Sequence, residues 1–344
     1  MFSSVLELVT SGQDLSASMM EEVIRSMLSG TLPEDKTEQL LIALQKKGES
    51  VSELVGAARA MRAAMTRVRT SHPMVLDTCG TGGDGSQTFN ISTAAAIVIA
   101  AAGVPVAKHG NRKITSSTGS ADVLAEFGIN LDAPVEIVER CLAELKICFC
   151  FAPRFHPAMK HVAEVRRRIS GPTIFNRLGP LCNPASAAYQ VLGVGRSDLQ
   201  SLLADALQQL EPRRAIVVRG EDGVDEVSLE VSTTVIDVTP NGKRTFQWHP
   251  SDFGLMPAPR ASLFADSPTS SAQCIREALS GRPGPCRDVV VLNAAAGLWL
   301  VEENATPQSC ARRAQAAIDS GTAAELLQNL ANLTNQSPTA PNSP

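Results

Sequence analysis

Asp77-Thr78-Cys79-Gly80-Thr81-Gly82-Gly83-Asp84-Gly85-Ser86-Gln87-Thr88-Phe89-Asn90-Ile91-Ser92-Thr93 joins a strand signal, a glycine cluster and a helix start within seventeen residues. Four glycines between Gly80 and Gly85 follow the apolar pair Val75-Leu76, and the apolar block Ala94 to Ala102 comes directly after Ser92 and Thr93. That order predicts a strand, a glycine-rich loop, an N-cap at Ser92-Thr93 and a helix. Glycines let a backbone turn with positive φ and approach a ligand closely, and a helix start offers unpaired N–H groups to an anion. Gly103 predicts the helix stop, and Val104 to Ala107 a second strand. A right-handed crossover returns both strand ends to one edge of a parallel sheet. The second strand therefore delivers Lys108-His109-Gly110-Asn111-Arg112 beside the glycine loop. Amides and hydroxyls on one strand end and cations on the other predict a phosphate-rich ligand.

Neither common nucleotide fingerprint fits. No Gly-x-x-x-x-Gly-Lys-Ser/Thr string occurs. Gly80 to Gly85 does spell Gly-x-Gly-x-x-Gly, but the helix is expected to open only at Ser92, and the next strand runs into Lys108 instead of a ribose-binding carboxylate. With the Asn-Ile-Ser-Thr helix start and the Lys-His-Gly-Asn-Arg return, the chain resembles the anthranilate phosphoribosyltransferases, enzymes of tryptophan biosynthesis.

Composition narrows the alternatives. The chain has 344 residues, 44% hydrophobic and 19% charged, which suits a globular protein with a substantial core and room for two domains. A net charge of −4 leaves no electrostatic footprint for nucleic acid. The eight cysteines form no Cys-x-x-Cys motif, and Cys148-x-Cys150 lies in the apolar run Ile147 to Phe151, so it reads as buried strand in a reducing compartment. Met1 to Leu8 lacks a basic n-region and a long apolar h-region, and Ala94 to Ala107 is too short and too broken to span a bilayer. The expectation is a cytoplasmic protein without membrane contact.

Residues 1 to about 70 read as four short helices, with Ser18-x-x-Glu21 and Ser50-x-x-Glu53 as capping boxes and Gly12, Gly30 and Gly48 as stops. From Pro73 short apolar strands alternate with helices, the pattern of an α/β sheet. Ser116-Ser117-Thr118-Gly119-Ser120 opens a helix beside the Lys108 loop, as ordinary caps or a second phosphate contact. A strand over 147–151 ends in a turn at 152–157, and a helix over 161–169 carries Arg166-Arg167-Arg168. Residues 173–184 read as a short helix broken by prolines, suited to joining two lobes. Strands at 191–194 and 215–218 flank a helix over 198–210. The second of these strands runs into Gly220-Glu221-Asp222-Gly223-Val224-Asp225-Glu226, where adjacent carboxylates are either a polar turn or Mg²⁺ ligands beside a diphosphate. A hairpin turning at Asn241-Gly242, a strand over Val289 to Asn293 and helices from Ala294, Pro307 and Ala323 complete the α/β part. The segment 336–344 reads as a disordered tail.

The resemblance covers roughly residues 5 to 335. It implies a small all-helical domain (1–72 plus about 165–188) hinged to a larger α/β domain (73–164 plus 189–335) with a central, mainly parallel sheet, and a homodimer formed through the helical domain. It further implies that Gly80, Gly82, Gly83, Asp84, Thr88, Asn90, Ser92, Thr93, Lys108 and Ser120 hold phosphoribosyl pyrophosphate. Ser92, Asp225 and Glu226 match ligands of Mg²⁺, while Gly80, His109, Asn111, His156 and Arg166 match the anthranilate pocket. No general base is implied, and His109 is the candidate for proton handling. The chain departs from the family pattern at Pro172, where an arginine is common, at Arg219, where a histidine is common, and over Phe264-Ala265-Asp266-Ser267, where a Gly-Gly-Asp-like segment is common. The alternatives are a pyrimidine nucleoside phosphorylase-like enzyme, which does not need the Asp225-Glu226 pair, and a non-catalytic relative that binds nucleic acid, which should carry a basic groove.

Overall fold

The computed structural model describes residues 2–112 and 118–337. Four helices open the chain: α1 (Phe2–Thr10), α2 (Ala17–Leu28), α3 (Glu34–Lys47) and α4 (Val51–Ala64). The Ser50/Glu53 capping box starts α4. The one expected at Ser18 does not exist, because Ser16 accepts the Met19 N–H and places Ser18 inside α2. Gly12, Gly30 and Gly48 end their helices with positive φ.

There follow β1 (Leu76–Gly80), α5 (Ile91–Ala101), β2 (Val106–Gly110), α6 (Ser120–Ala125), α7 (Val135–Leu145), β3 (Ile147–Phe151), α8 (Ala152–Phe155), α9 (Lys160–Arg168), α10 (Phe175–Leu178), β4 (Tyr189–Gly193), α11 (Ser197–Gln209), β5 (Arg214–Gly220), β6 (Thr233–Thr239), β7 (Gly242–Trp248), α12 (Pro268–Leu279), α13 (Pro285–Val301), α14 (Pro307–Asp319) and α15 (Thr322–Thr334). One seven-stranded sheet runs β3-β2-β1-β4-β5-β6-β7, parallel from β3 to β5 and antiparallel through the β6-β7 hairpin.

Strand periodicity sorts the core into two clusters. Ile216 and Val218 of β5 point to the side covered by α5 and α13, while Ala215 and Val217 between them point to the side shared with α2, α4 and α11. The N-terminal helices thus share one buried cluster with α11 and the far face of the sheet, with α4 packed on α11, a partner that their own sequence does not reveal.

Two further local expectations need correction. Val289 to Asn293 is not a strand but the second turn of α13 onward, a helix whose residues Val289 to Leu298 are all buried. A helix buried all round carries a continuous apolar run, which looks like a core strand. Ser92 and Thr93 lie inside α5, whose N-cap is Asn90. Within the expected turn over 152–157, residues 152–155 form one helical turn, α8. The Ser116-Ser117 part of the second phosphate contact lies outside the described residues, as does all but the first two positions of the expected tail.

Candidate active site

A cleft of about 600 Å³ lies where β1, β2 and β5 end, roofed by α9 and α10. Gly82, Gly83 and Gly85 all take positive φ (64°, 73° and 71°), so the loop after β1 folds back over the sheet edge. The Asp225 carboxylate accepts the Gly82 N–H at 2.8 Å, and the Asp225 N–H donates to Asp84 Oδ2 at 3.3 Å. Such closeness needs Gly193 beneath it: a Cβ there would stand 1.7 Å from the Asp225 carbonyl oxygen.

Beside this loop, Glu226 accepts the Ser92 N–H at 3.1 Å, in the first turn of α5. Lys108, buried on β2, donates to the Thr78 carbonyl and to Ser92 Oγ at 3.1 Å. Burial pushes the Asp225 carboxyl up to about 7, with repulsion from Asp84 adding to it. Burial and then Asp225 push Glu226 to about 8, against the pull of Lys108.

The opposite wall carries different chemistry. His109 holds the Gly179 carbonyl through Nδ1 at 2.9 Å, and its backbone N–H reaches the buried Asp77 carboxylate at 3.1 Å. His156 Nε2 lies 3.2 Å from His109 Nε2. Burial lowers His109 to about 4 and His156 to about 3, so both imidazoles are neutral at pH 7. One of the two facing Nε2 atoms must then carry the proton; Nδ1–H donation from His109 to Gly179 assigns it to His156. Arg166 on α9 donates to Asn176 Oδ1 at 3.3 Å and stands 5.5 Å over the Phe175 ring. Burial lowers its pKa, and among the described residues no carboxylate offsets that loss.

Gly80, Gly82, Gly83, Asp84, Thr88, Asn90, Ser92, Lys108, His109, Asn111, Ser120, His156, Arg166, Asp225 and Glu226 all line this one cleft. Thr93 does not: its side chain is buried behind the helix start, and its hydroxyl has no partner among the described residues. The sequence reading missed Met61 of α4 and the Phe175, Pro180 and Cys182 side chains that supply the cleft's apolar surface. Apolar residues carry no motif, so only the closing of α4 and α10 over the sheet edge reveals them.

The departures from the family pattern sit outside the cleft. Arg219 donates to the Gly195 carbonyl at 3.2 Å, Pro172 offers its carbonyl to Gln45 at 2.9 Å, and Ser267 caps α12. Among the described residues no helix is long and apolar enough to cross a membrane.

Residues 3–65 match the helical bundle domain of the glycosyl transferase family, and residues 72–324 match its a/b domain. An anthranilate phosphoribosyltransferase from Rhodopirellula baltica is 48% identical over 330 residues, 96% of either chain. The crystal structure of the Thermus thermophilus anthranilate phosphoribosyltransferase superposes with a TM-score of 0.90 at 39% identity, covering 96% of this chain and 99% of that one. The Saccharomyces cerevisiae enzyme, in complex with phosphoribosyl pyrophosphate and Mg, gives 0.89 at 28% identity over 97% of both. Matching these proteins in sequence and in fold over nearly its whole length, the chain belongs to the anthranilate phosphoribosyltransferase family.

Proposed function

We propose that the protein transfers the 5-phosphoribosyl group of phosphoribosyl pyrophosphate to the amine of anthranilate. The products are N-(5-phosphoribosyl)anthranilate and pyrophosphate, a step of tryptophan biosynthesis in the cytoplasm. The observation that carries this reading is the division of one cleft into two chemistries. One part is built of loop amides, Lys108 and paired acids, and the other of neutral imidazoles, apolar side chains and a half-buried guanidinium that, among the described residues, has no carboxylate partner.

The phosphate half comprises Gly80, Gly82, Gly83, Asp84, Thr88, Asn90, Ser92, Lys108 and Ser120, with Thr93 contributing at most its place in the first turn of α5. Positive charge from Lys108 and the loop N–H groups meets the charge that develops on the leaving diphosphate. Ser92, Asp225 and Glu226 fit Mg²⁺, since the set is all oxygen and its two carboxylates are the hard ligands the ion takes. Bound there, Mg²⁺ would neutralise the diphosphate as a Lewis acid.

In the other half, Gly80, His109, Asn111, His156 and Arg166 form the anthranilate pocket, with Arg166 receiving the carboxylate. The amine nitrogen attacks C1 of the ribose as the C1–O bond to pyrophosphate breaks, with inversion. An aromatic amine is neutral at pH 7, so alignment of the two substrates matters more than a strong base. The proton that leaves the new secondary amine has the neutral His109–His156 pair beside it.

The residues on both walls are spread over 80–226, and Arg166 belongs to the lobe formed by 1–72 and about 165–188. Closure of that lobe on the α/β lobe, about the 172–184 segment, accompanies turnover. X-ray scattering that is identical with and without both substrates rules out a large closure. The helical lobe also pairs two chains; a solution mass of one chain by light scattering removes that part. The decisive assay for the activity is loss of anthranilate fluorescence on adding phosphoribosyl pyrophosphate and Mg²⁺. No loss under those conditions overturns the proposal.

A further inference from the structure

Ser271 lies on α12, 181 residues after Asn90 in sequence, and is completely buried outside the cleft wall. Its hydroxyl makes two bonds to one residue: it accepts the Asn90 backbone N–H at 3.0 Å and donates to Asn90 Oδ1 at 2.8 Å. The serine proton goes to the carboxamide oxygen, which is thereby held toward α12, while a serine lone pair takes the backbone N–H. Thr118 Oγ1 donates to the same Oδ1, also at 2.8 Å. Two hydroxyl donors fill both lone pairs of that oxygen, so the NH₂ end has to point away from Ser271. The bond Asn90 makes with it, to the Thr118 carbonyl, is long at 3.5 Å, leaving a donor in the cleft.

We propose that Ser271 is a positioning residue for phosphate binding. It locks the Asn90 carboxamide with its NH₂ toward the cleft and steadies the N-terminus of α5 from behind. The inference rests on the proposed function, in which Asn90 meets the phosphates of phosphoribosyl pyrophosphate, and it assigns what holds Asn90 in the donating orientation. Freed of Ser271, the carboxamide rotates, and it presents to the anion an oxygen lone pair as readily as an N–H.

The test is a double-mutant cycle on the full-length enzyme, using Ser271→Ala, Asn90→Ala and both together. Ser271→Cys is the near-isosteric control, because a thiol keeps the shape but is a weak hydrogen-bonding group. Ser271→Ala and Ser271→Cys should each raise the KM for phosphoribosyl pyrophosphate about tenfold, the effect of one orienting hydrogen bond. The KM for anthranilate should stay within about twofold, and in the Asn90→Ala background the further change should also stay within about twofold. A Ser271→Cys enzyme with the parent's constants, or an equal effect in both backgrounds, overturns the positioning role alone. An unchanged KM for phosphoribosyl pyrophosphate in Asn90→Ala removes the phosphate role of Asn90, and the proposal falls with it. If Ser271→Ala does not fold, Ser271→Cys carries the cycle.

Discussion

The carboxylate of Asp225 accepts the backbone N–H of Gly82 at 2.8 Å, joining two loops 143 residues apart. The acidic loop after β5 is thereby fastened to the glycine loop after β1, and a polar turn becomes one wall of a binding cleft. Such a bond ties the shape of the phosphate loop to the charge state of the acid.

Changing Asp225 and Glu226 together to Ala should abolish Mg²⁺-dependent turnover. Loss of the clamp on the leaving diphosphate, worth several kcal/mol, should lower kcat/KM on the order of 10³-fold. Activity assays across a Mg²⁺ titration check this, and a double variant at parental rate in EDTA would remove the metal role of the pair.

Arg166 and Lys108 should separate the two substrates. A charge-assisted hydrogen bond lost from a partly dry pocket costs about 1.5–3 kcal/mol, or on the order of 10- to 150-fold in affinity. Arg166→Ala should raise the KM for anthranilate by that factor and leave the KM for phosphoribosyl pyrophosphate within about threefold, with Lys108→Ala doing the reverse. Steady-state kinetics with each substrate varied in turn decide it. A pair of unchanged constants in Arg166→Ala returns that arginine to a solvated helix face.

Asp77 should make the fold lose stability as pH rises. Burial lifts its carboxyl from 3.8 to about 6, offset in part by the bonds it accepts from Asn183 and His109. A folded-state value above the unfolded one means that the native state binds more protons. Its contribution is therefore fully favourable below pH 3.8 and is lost as pH climbs through about 6. The swing is at most about 3 kcal/mol for a shift of this size. Urea unfolding of the parent and of Asp77→Asn at several pH values measures it: the parent's curve should fall across that window, and the variant's should be flatter. Parallel curves would show that Asp77 titrates normally.

Glu53 should be a stability residue without a catalytic role. It is fully buried, accepts the Leu15 and Ser50 N–H groups at 3.0 and 2.8 Å, and pairs with Lys47 at 3.0 Å. Removing one partner of a buried pair costs about 3–5 kcal/mol, because the others are left unpaired. Glu53→Ala should thus lower the denaturation midpoint sharply, while the variant that remains folded keeps the parent's KM values. A shift below about 1 kcal/mol would mean that water replaces the carboxylate, as at an exposed pair.

Elements whose chemistry is local were legible in the chain before it folds. Positive φ at Gly82, Gly83 and Gly85, the Ser50/Glu53 cap, the Asn241-Gly242 hairpin and the delivery of Lys108 beside the glycine loop all depend on residues close in the chain or on the fixed hand of one crossover. Tertiary structure alone decided whatever depends on burial or on distant partners. Val289 to Asn293 is helical because α13 is enclosed on every side, and an apolar run that is enclosed has no period to betray its winding. Ser18 gave way to Ser16 as a cap by two residues, a margin that depends on where Leu15 is anchored by Glu53. The bonds of Ser271 to Asn90, of Asp225 to Gly82 and of His156 to His109 cross 181, 143 and 47 residues. A hydroxyl or imidazole has the same local signature whether it faces water or a partner. Its role is settled only when packing removes the water and leaves one geometry in which every donor is met.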